Sequence, residues 1–120
     1  KAEMEAETAI AHFVPPDLVK NSPGVAKVWV MWEQTGAHSM LASYNMTSVT
    51  DGGSAGNTDH LWNVDFSSGT YAIVTGPTHQ GPVHIVITSI AAGGVTTISV
   101  DGSGSDIDRA ENYLAAFGDQ

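Results

Sequence analysis

The stretch VAKVWVMWE, residues 25–33, carries apolar side chains on both faces of an extended chain. Successive side chains of a β-strand point to opposite faces, so Val28, Val30 and Trp32 would share one face and Trp29 would lie on the other. A strand with two apolar faces is buried on both sides, either inside a sandwich or against another subunit. This stretch therefore predicts a central strand.

Short segments of the same kind continue along the chain, separated by turns rich in glycine or proline. They are SMLASYNMTSVT (39–50), HLWNVDF (60–66), TYAIVTG (70–76), VHIVITSIA (83–91) and VTTISV (95–100). Short strands that recur every 8–12 residues or so are typical of sandwiches and barrels. The pattern predicts an all-β fold, an antiparallel and jelly-roll-like β-sandwich of about eight short strands.

The last segment, DRAENYLAAFG (residues 108–118), fits two structures. Its alanines and leucine favour a helix, whereas Tyr113, Ala115 and Phe117 alternate as they would in a strand. Periodicity alone leaves both structures open.

The first 24 residues, KAEMEAETAIAHFVPPDLVKNSPG, differ in kind from the rest. They open with good helix formers, and Pro15-Pro16 and Pro23-Gly24 then interrupt the pattern. We predict an N-terminal arm over residues 1–24, a short helix or frayed segment followed by extended chain, and a β-domain over residues 25–120. Because the chain begins at Lys1 rather than at methionine, we expect it to come from a longer gene product.

Charge and composition exclude several classes of protein. The 120 residues include 4 Lys+Arg against 13 Asp+Glu, for a formal charge of −9, and no cation lies between Lys27 and Arg109. Nucleic-acid binders need cations to replace the counterions of the phosphates, and an anionic membrane surface would repel this chain too. Without cysteine the chain has no disulfide and no thiolate metal site. No apolar run reaches the length of about 18 residues needed for membrane insertion.

Several segments, taken in order, resemble the C-terminal, distal domains of tail-fibre proteins of tailed bacteriophages and prophages. The likeness lies in the lead-in SPGVAKVWV, Ala42-Ser43-Tyr44-Asn45, Thr50-Asp51-Gly52, Val64-Asp65-Phe66, Tyr71-Ala72-Ile73-Val74 and the closing Phe117-Gly118. The arm KAEMEAETAIAHFVPPDLV is similar to the segment that commonly precedes such tips. The chain departs from the family pattern at Glu7, at Trp32-Glu33-Gln34, over 52–60 and over 76–82, where specificity would differ.

The resemblance implies a fold, an assembly and a role. It makes residues 111–117 the last strand, and it implies a homotrimer carried on an upstream fibre shaft. The location would be extracellular, at the distal end of the fibre of a virion. The role would be adhesion, with a glycan or an outer-membrane protein of the host bacterium as the receptor. Two alternatives remain: a structural trimerisation module of the fibre, and a tail-borne polysaccharide hydrolase.

Catalysis finds little support in the residues. Glu33, Asp51, Asp59 and Asp65 could supply the acid and base that flank a glycosidic bond. Asp51 is explained by its turn with Gly52. Asp65 alternates with Val64 and Phe66, which are predicted to face the core, so Asp65 is predicted to be a solvated strand residue. No Gly-x-Ser-x-Gly nucleophile motif is present. The sequence therefore predicts a protein that is not an enzyme and has no catalytic residues.

Metal binding also has a simpler alternative. The segment DGSGSDID (101–108) is rich in oxygen ligands, but Asp106 stands at the glycine position of the EF-hand loop and no glutamate occupies the twelfth position. A turn that ends a strand accounts for it. In a trimer, His79 or His84 on the three-fold axis could supply three ligands. We predict no cofactor and no metal; a metal held by a trimer-axis histidine or by the acidic loop 101–108 is the alternative.

Recognition remains, and it is expected on exposed loops beside a rigid sheet. Trp29 and Trp62 suit the core or a subunit interface, whereas Trp32 adjoins polar residues at a strand end. The segments 52–60 and 77–82 are polar and bounded by glycine or proline. The residues predicted to contact the receptor are Trp32, Glu33, Gln34, Asn57, Asp59, His60, His79 and Gln80.

Overall fold

The computed structural model describes residues 19, 22, 24–77 and 81–120. Their strands are β1 (Ala26–Glu33), β2 (Ser39–Tyr44), β3 (Met46–Asp51), β4 (Asn57–Trp62), β5 (Ala72–Pro77), β6 (Val83–Ala91), β7 (Gly94–Asp101) and β8 (Asn112–Phe117). The predicted arm lies almost wholly outside the described residues, as do His79 and Gln80. Within the described part, no helix is long and apolar enough to cross a membrane.

The strands form two four-stranded antiparallel sheets. Sheet A has the order β2-β1-β8-β5, and sheet B has the order β3-β4-β7-β6. The predicted all-β antiparallel fold of eight short strands is confirmed. The stretch predicted to be a central strand is β1, which pairs with β2 on one side and β8 on the other. The ambiguous last segment is a strand, as the resemblance implies.

The core lies between the inner faces of the two sheets. Its buried residues are Val28, Val30, Trp32, Val49, Trp62, Phe66, Val95, Leu114 and Ala116. Trp62 is in this core, in line with its predicted place. Trp29 is instead 40% exposed on the outer face of sheet A, so β1 buries only one of its two apolar faces within the chain.

Asn45 divides the β-like segment 39–50 into β2 and β3, which belong to different sheets. Its φ of 57° is left-handed, a conformation that asparagine adopts more readily than most residues. Its side chain donates to the carbonyl oxygen of Lys27 (3.1 Å) and accepts from the amide of Val64 (2.9 Å). These bonds hold the chain as it crosses from sheet A to sheet B.

The strand predicted over 60–66 has different limits, because β4 begins at Asn57 and ends at Trp62. Val64 and Asp65 lie beyond its end and are exposed, so the predicted core position of Val64 was wrong. Phe66 is buried, and its ring stacks on Tyr71 with centroids 4.0 Å apart. The predicted strand was too long at this end because Val64 and Phe66 are apolar, although the backbone leaves the sheet after Trp62.

One buried amide, the side chain of Gln34 just after β1, joins the two sheets. Its Nε2 donates to the carbonyl oxygen of Gly56 (2.7 Å) and to Oγ1 of Thr58 (2.9 Å), both next to or in sheet B. Its Oε1 accepts from Oγ of Ser99 (3.0 Å) in β7 and from Nδ2 of Asn112 (3.2 Å) in β8. Both ends of the amide are satisfied, as a group with no exposed surface requires.

Replacing this amide will therefore destabilise the protein strongly. In Gln34→Ala several buried donors and acceptors lose their partner at once, so we expect the free energy of unfolding to fall by about 3 kcal/mol or more. Urea denaturation followed by circular dichroism measures this loss.

The neighbouring Thr35 is exposed and supplies the matched control. Thr35→Ala should change the free energy of unfolding by no more than about 0.5 kcal/mol. Equal unfolding midpoints for the two variants would show that the amide does not hold the sheets together.

Candidate functional site

The residues predicted to contact a receptor do not share one surface. Trp32, Gln34 and His60 point into the interior, and none of them is more than 1% exposed. Since alternate residues of a strand face opposite sides, the register that buries Val28 and Val30 also buries Trp32. Direct contact of these three side chains with a receptor does not fit their burial.

The other predicted contact residues lie apart from one another. Glu33 is half-buried and accepts a hydrogen bond from Oγ of Ser39 (2.8 Å) across β1 and β2. Asn57 is half-buried at the start of β4, where its side chain lies against the turn at Gly52. The predicted exposed segment 52–60 is thus a turn followed by a strand. Of its predicted residues, only Asp59 faces outward on the middle of sheet B.

His60 is the titratable group of the interior. Its ring packs edge-to-face on Trp32 with centroids 4.5 Å apart, and its Nε2 lies 3.0 Å from Oγ1 of Thr97. Burial, together with a smaller effect of the nearby His38, lowers the pKa of His60 to about 3. His60 is therefore neutral at physiological pH and serves as a packed core residue.

The acidic segment 101–108 uses its first carboxylate within its own turn. Oδ1 of Asp101 accepts from the amide of Ser103 (2.8 Å), from the hydroxyl of Ser103 (2.7 Å) and from the amide of Ser105 (3.0 Å). These bonds, that of the Ser103 hydroxyl foremost, hold the pKa of Asp101 below its usual range. Among the described residues no group of three or more His, Cys, Asp or Glu is placed to hold a metal ion.

An open depression of about 380 Å³ lies on the outer face of sheet B. Residues of all four strands of the sheet, with one residue of the turn before β7, line it: Thr50, Asp59, His60, Leu61, Ser89, Ala91, Gly93, Gly94, Val95 and Thr96. We call it the sheet B depression. It is the place where the fold gathers polar side chains around a recess.

The strand register places the polar residues of the depression in one row. Thr50 pairs with Asp59, Asp59 with Thr96, and Thr96 with Ser89. Oγ1 of Thr96 donates a 2.7 Å hydrogen bond to Oδ1 of Asp59, which fixes the orientation of the carboxylate. Sequence reasoning selected Asp59 but missed the three hydroxyl residues, because only the pairing of distant strands brings them beside it.

The outer face of sheet A has the opposite character. Its exposed apolar side chains are Trp29, Tyr44, Val74 and Tyr113, which we call the sheet A face. Trp29 lies across from Tyr44 on β2 and from Ala115 on β8, and Ala115 in turn pairs with Val74. An apolar row thus crosses all four strands of the sheet. Contiguous exposed apolar surface of this kind marks interaction sites.

Compared with protein-family models, with curated proteins and with solved structures, the chain matches none of them. A function for this chain is therefore argued from its own residues, in particular from the sheet B depression and the sheet A face.

The low pKa of His60 predicts a loss of stability in acid. In the unfolded chain His60 binds a proton below about pH 6.5, whereas in the folded chain it remains neutral down to about pH 3. The stability contributed by neutral His60 is thus complete above pH 6.5 and falls by about 1.4 kcal/mol per pH unit below it. Urea denaturation at pH 7, 5.5 and 4.5 measures this dependence.

His60→Gln isolates the histidine from the carboxylates that also titrate in this range. Its stability should fall less steeply with acid than that of the wild type, while His84→Gln, which alters an exposed histidine of β6, should keep the wild-type slope. Parallel slopes for all three proteins, or an NMR titration of His60 with a midpoint near 6.5, would contradict the low pKa.

Proposed function

We propose that the chain is the distal tip of a tail fibre of a tailed bacteriophage or prophage and binds a receptor on the surface of the host bacterium. The observation that carries the proposal is the sheet B depression, where a carboxylate and three hydroxyl residues line a recess on a rigid sheet. Polar groups held by a scaffold around a concave surface suit recognition. The sequence resemblance to fibre tips supports the same role.

The depression favours binding over catalysis. Glycoside hydrolysis commonly uses two carboxyl groups on either side of the bond that is cleaved. Of the described residues that line the depression, Asp59 alone carries a carboxylate. A single carboxylate, whose Oδ1 already accepts a hydrogen bond from Thr96, does not supply that pair. This chemistry supports attachment without cleavage of the receptor.

The sheet A face supports the proposed homotrimer. Trp29 and Tyr113 are each 40% exposed, and Tyr44 and Val74 are more exposed still. The row Tyr44–Trp29–Ala115–Val74 contains no charged residue, so two copies of a chain with net charge −9 can approach there with little repulsion. The same face supports the alternative role, a structural module that joins three chains without touching the host.

A charge placed on the sheet A face should break the assembly. The wild type is expected to sediment at three times its chain mass of 12.5 kDa, and Trp29→Glu at the mass of one chain, because a carboxylate would be buried in each contact. Sedimentation velocity gives the masses. Val64→Glu makes the same kind of change at an exposed apolar residue outside the face and should remain trimeric. A monomeric wild type, or equal masses for all three proteins, would count against this assembly.

Attachment to cells tests the proposed function itself. The fluorescently labelled chain should bind whole cells of a host strain and reduce adsorption of the phage, because it occupies the receptor. Flow cytometry measures the binding, and heat-denatured protein is the control. A trimer that binds no candidate host cells would favour the structural module instead. Reducing ends released from host polysaccharide would favour the hydrolase.

A further inference from the structure

The shape of the sheet B depression is set by small residues. Gly94 pairs with Leu61 on β4 and with Ala91 on β6, so one row across the sheet has almost no side chain at its centre. A Cβ on Gly94 would collide with the carbonyl oxygen of His60. The close approach of β4 and β7 therefore requires glycine at this position, and the recess is a fixed feature of the sheet.

The neighbouring row supplies hydrogen-bonding groups in an order that suits hydroxyl-rich ligands. Thr50, Thr96 and Ser89 carry hydroxyls that can donate and accept, and Asp59 is an acceptor. Thr96 occupies Oδ1 of Asp59, and among the described residues no hydrogen bond is made to Oδ2. A ligand hydroxyl can therefore donate a charge-assisted bond to Oδ2. The row crosses three interstrand spacings, about 14 Å, which is long enough for more than one sugar ring.

Charge then selects the class of ligand. Asp59 is the only charged side chain among the described residues that line the depression, and the whole chain has a net charge of −9. Phosphate, sulfate and uronate groups would be repelled, since no described cation lines the recess. Beside the polar row, the side chain of Leu61 is half exposed and can pack on the C–H face of a sugar ring. A basic peptide would use Asp59 but leave the hydroxyl row without a role.

We infer that the sheet B depression binds a neutral, hydroxyl-rich saccharide of the bacterial surface, with the Asp59 carboxylate as the main acceptor and the hydroxyls of Thr50, Thr96 and Ser89 as further contacts. This inference rests on the proposed function, because it identifies the receptor and the surface that holds it. It assigns host recognition to the middle of a sheet face rather than to the loops at the ends of the strands.

An array of purified bacterial surface polysaccharides, some neutral and some bearing uronate or phosphate, tests the inference. The wild-type chain should bind neutral polysaccharides and not the acidic ones. Asp59→Asn should weaken this binding about tenfold or more, because a charge-assisted hydrogen bond becomes a neutral one. Ala91→Trp places a large side chain from β6 in the recess and should abolish binding. This second variant tests the site independently if Asp59→Asn also destabilises the sheet.

Asp106→Asn is the matched control, since it removes the same charge from an exposed residue outside the depression. It should bind as the wild type does. Circular dichroism and the melting temperature establish that each variant is folded.

The outcomes separate the inference from the function on which it rests. If the wild type attaches to host cells and folded Asp59→Asn and Ala91→Trp attach equally well, the depression is not the site and the proposed function stands. Binding confined to acidic polysaccharides, or attachment lost when host surface proteins are digested, would overturn the inference of a neutral saccharide receptor. The proposed function of host attachment would still stand. A wild type that attaches to no host cells would overturn both.

Discussion

The side-chain amide of Gln34 is the contact on which the rest of the interior depends. It lies where β1 ends, and it bonds to groups in or beside strands of both sheets, including Thr58, Ser99 and Asn112. The sandwich interior contains several buried polar residues, and a polar group removed from water is costly unless it finds a hydrogen-bond partner. A single planar amide satisfies several of them and links the two sheets at that end of the interior. His60 packs in the same interior and remains neutral.

The core between the sheets uses only the inward side chains of each strand, so the outer faces of the two sheets can differ in chemistry. Alternate residues of β1 and β8 build the core, and the residues between them leave an apolar surface around Trp29 and Tyr113. On the opposite side of the sandwich, the outward residues of β4 and β7 leave a polar recess around Asp59 and Thr96. One face therefore suits a second copy of the chain, and the other suits a hydroxyl-rich ligand. The two outer faces belong to different sheets and lie on opposite sides of the sandwich, so the proposed assembly and the proposed recognition would not compete for one surface.

Much of the fold follows from local pattern. Short apolar runs separated by turns identify the strand class, and β1 was placed in the centre of a sheet because both its faces are apolar. Local pattern fails where the backbone changes direction inside an apolar run. Asn45 moves the chain between sheets within one continuous β-like segment, and Val64 follows the end of β4 without any loss of apolar character. In both places hydrogen bonds to residues distant in sequence set the direction of the backbone, and the composition of the segment does not predict those bonds.

The candidate site shows the same division more sharply. Asp59 and His60 are neighbours in sequence, and both were expected to reach a receptor; in the sandwich they face opposite sides of β4, one to solvent and one to the core. The sequence by itself determined the all-β class, the acidic charge that disfavours anionic ligands, and the carboxylate at residue 59. The tertiary structure alone decided which face of each strand is buried and which hydroxyls stand beside that carboxylate. The reason is physical: alternation sets two faces for every strand, but pairing between strands far apart in the chain chooses between them.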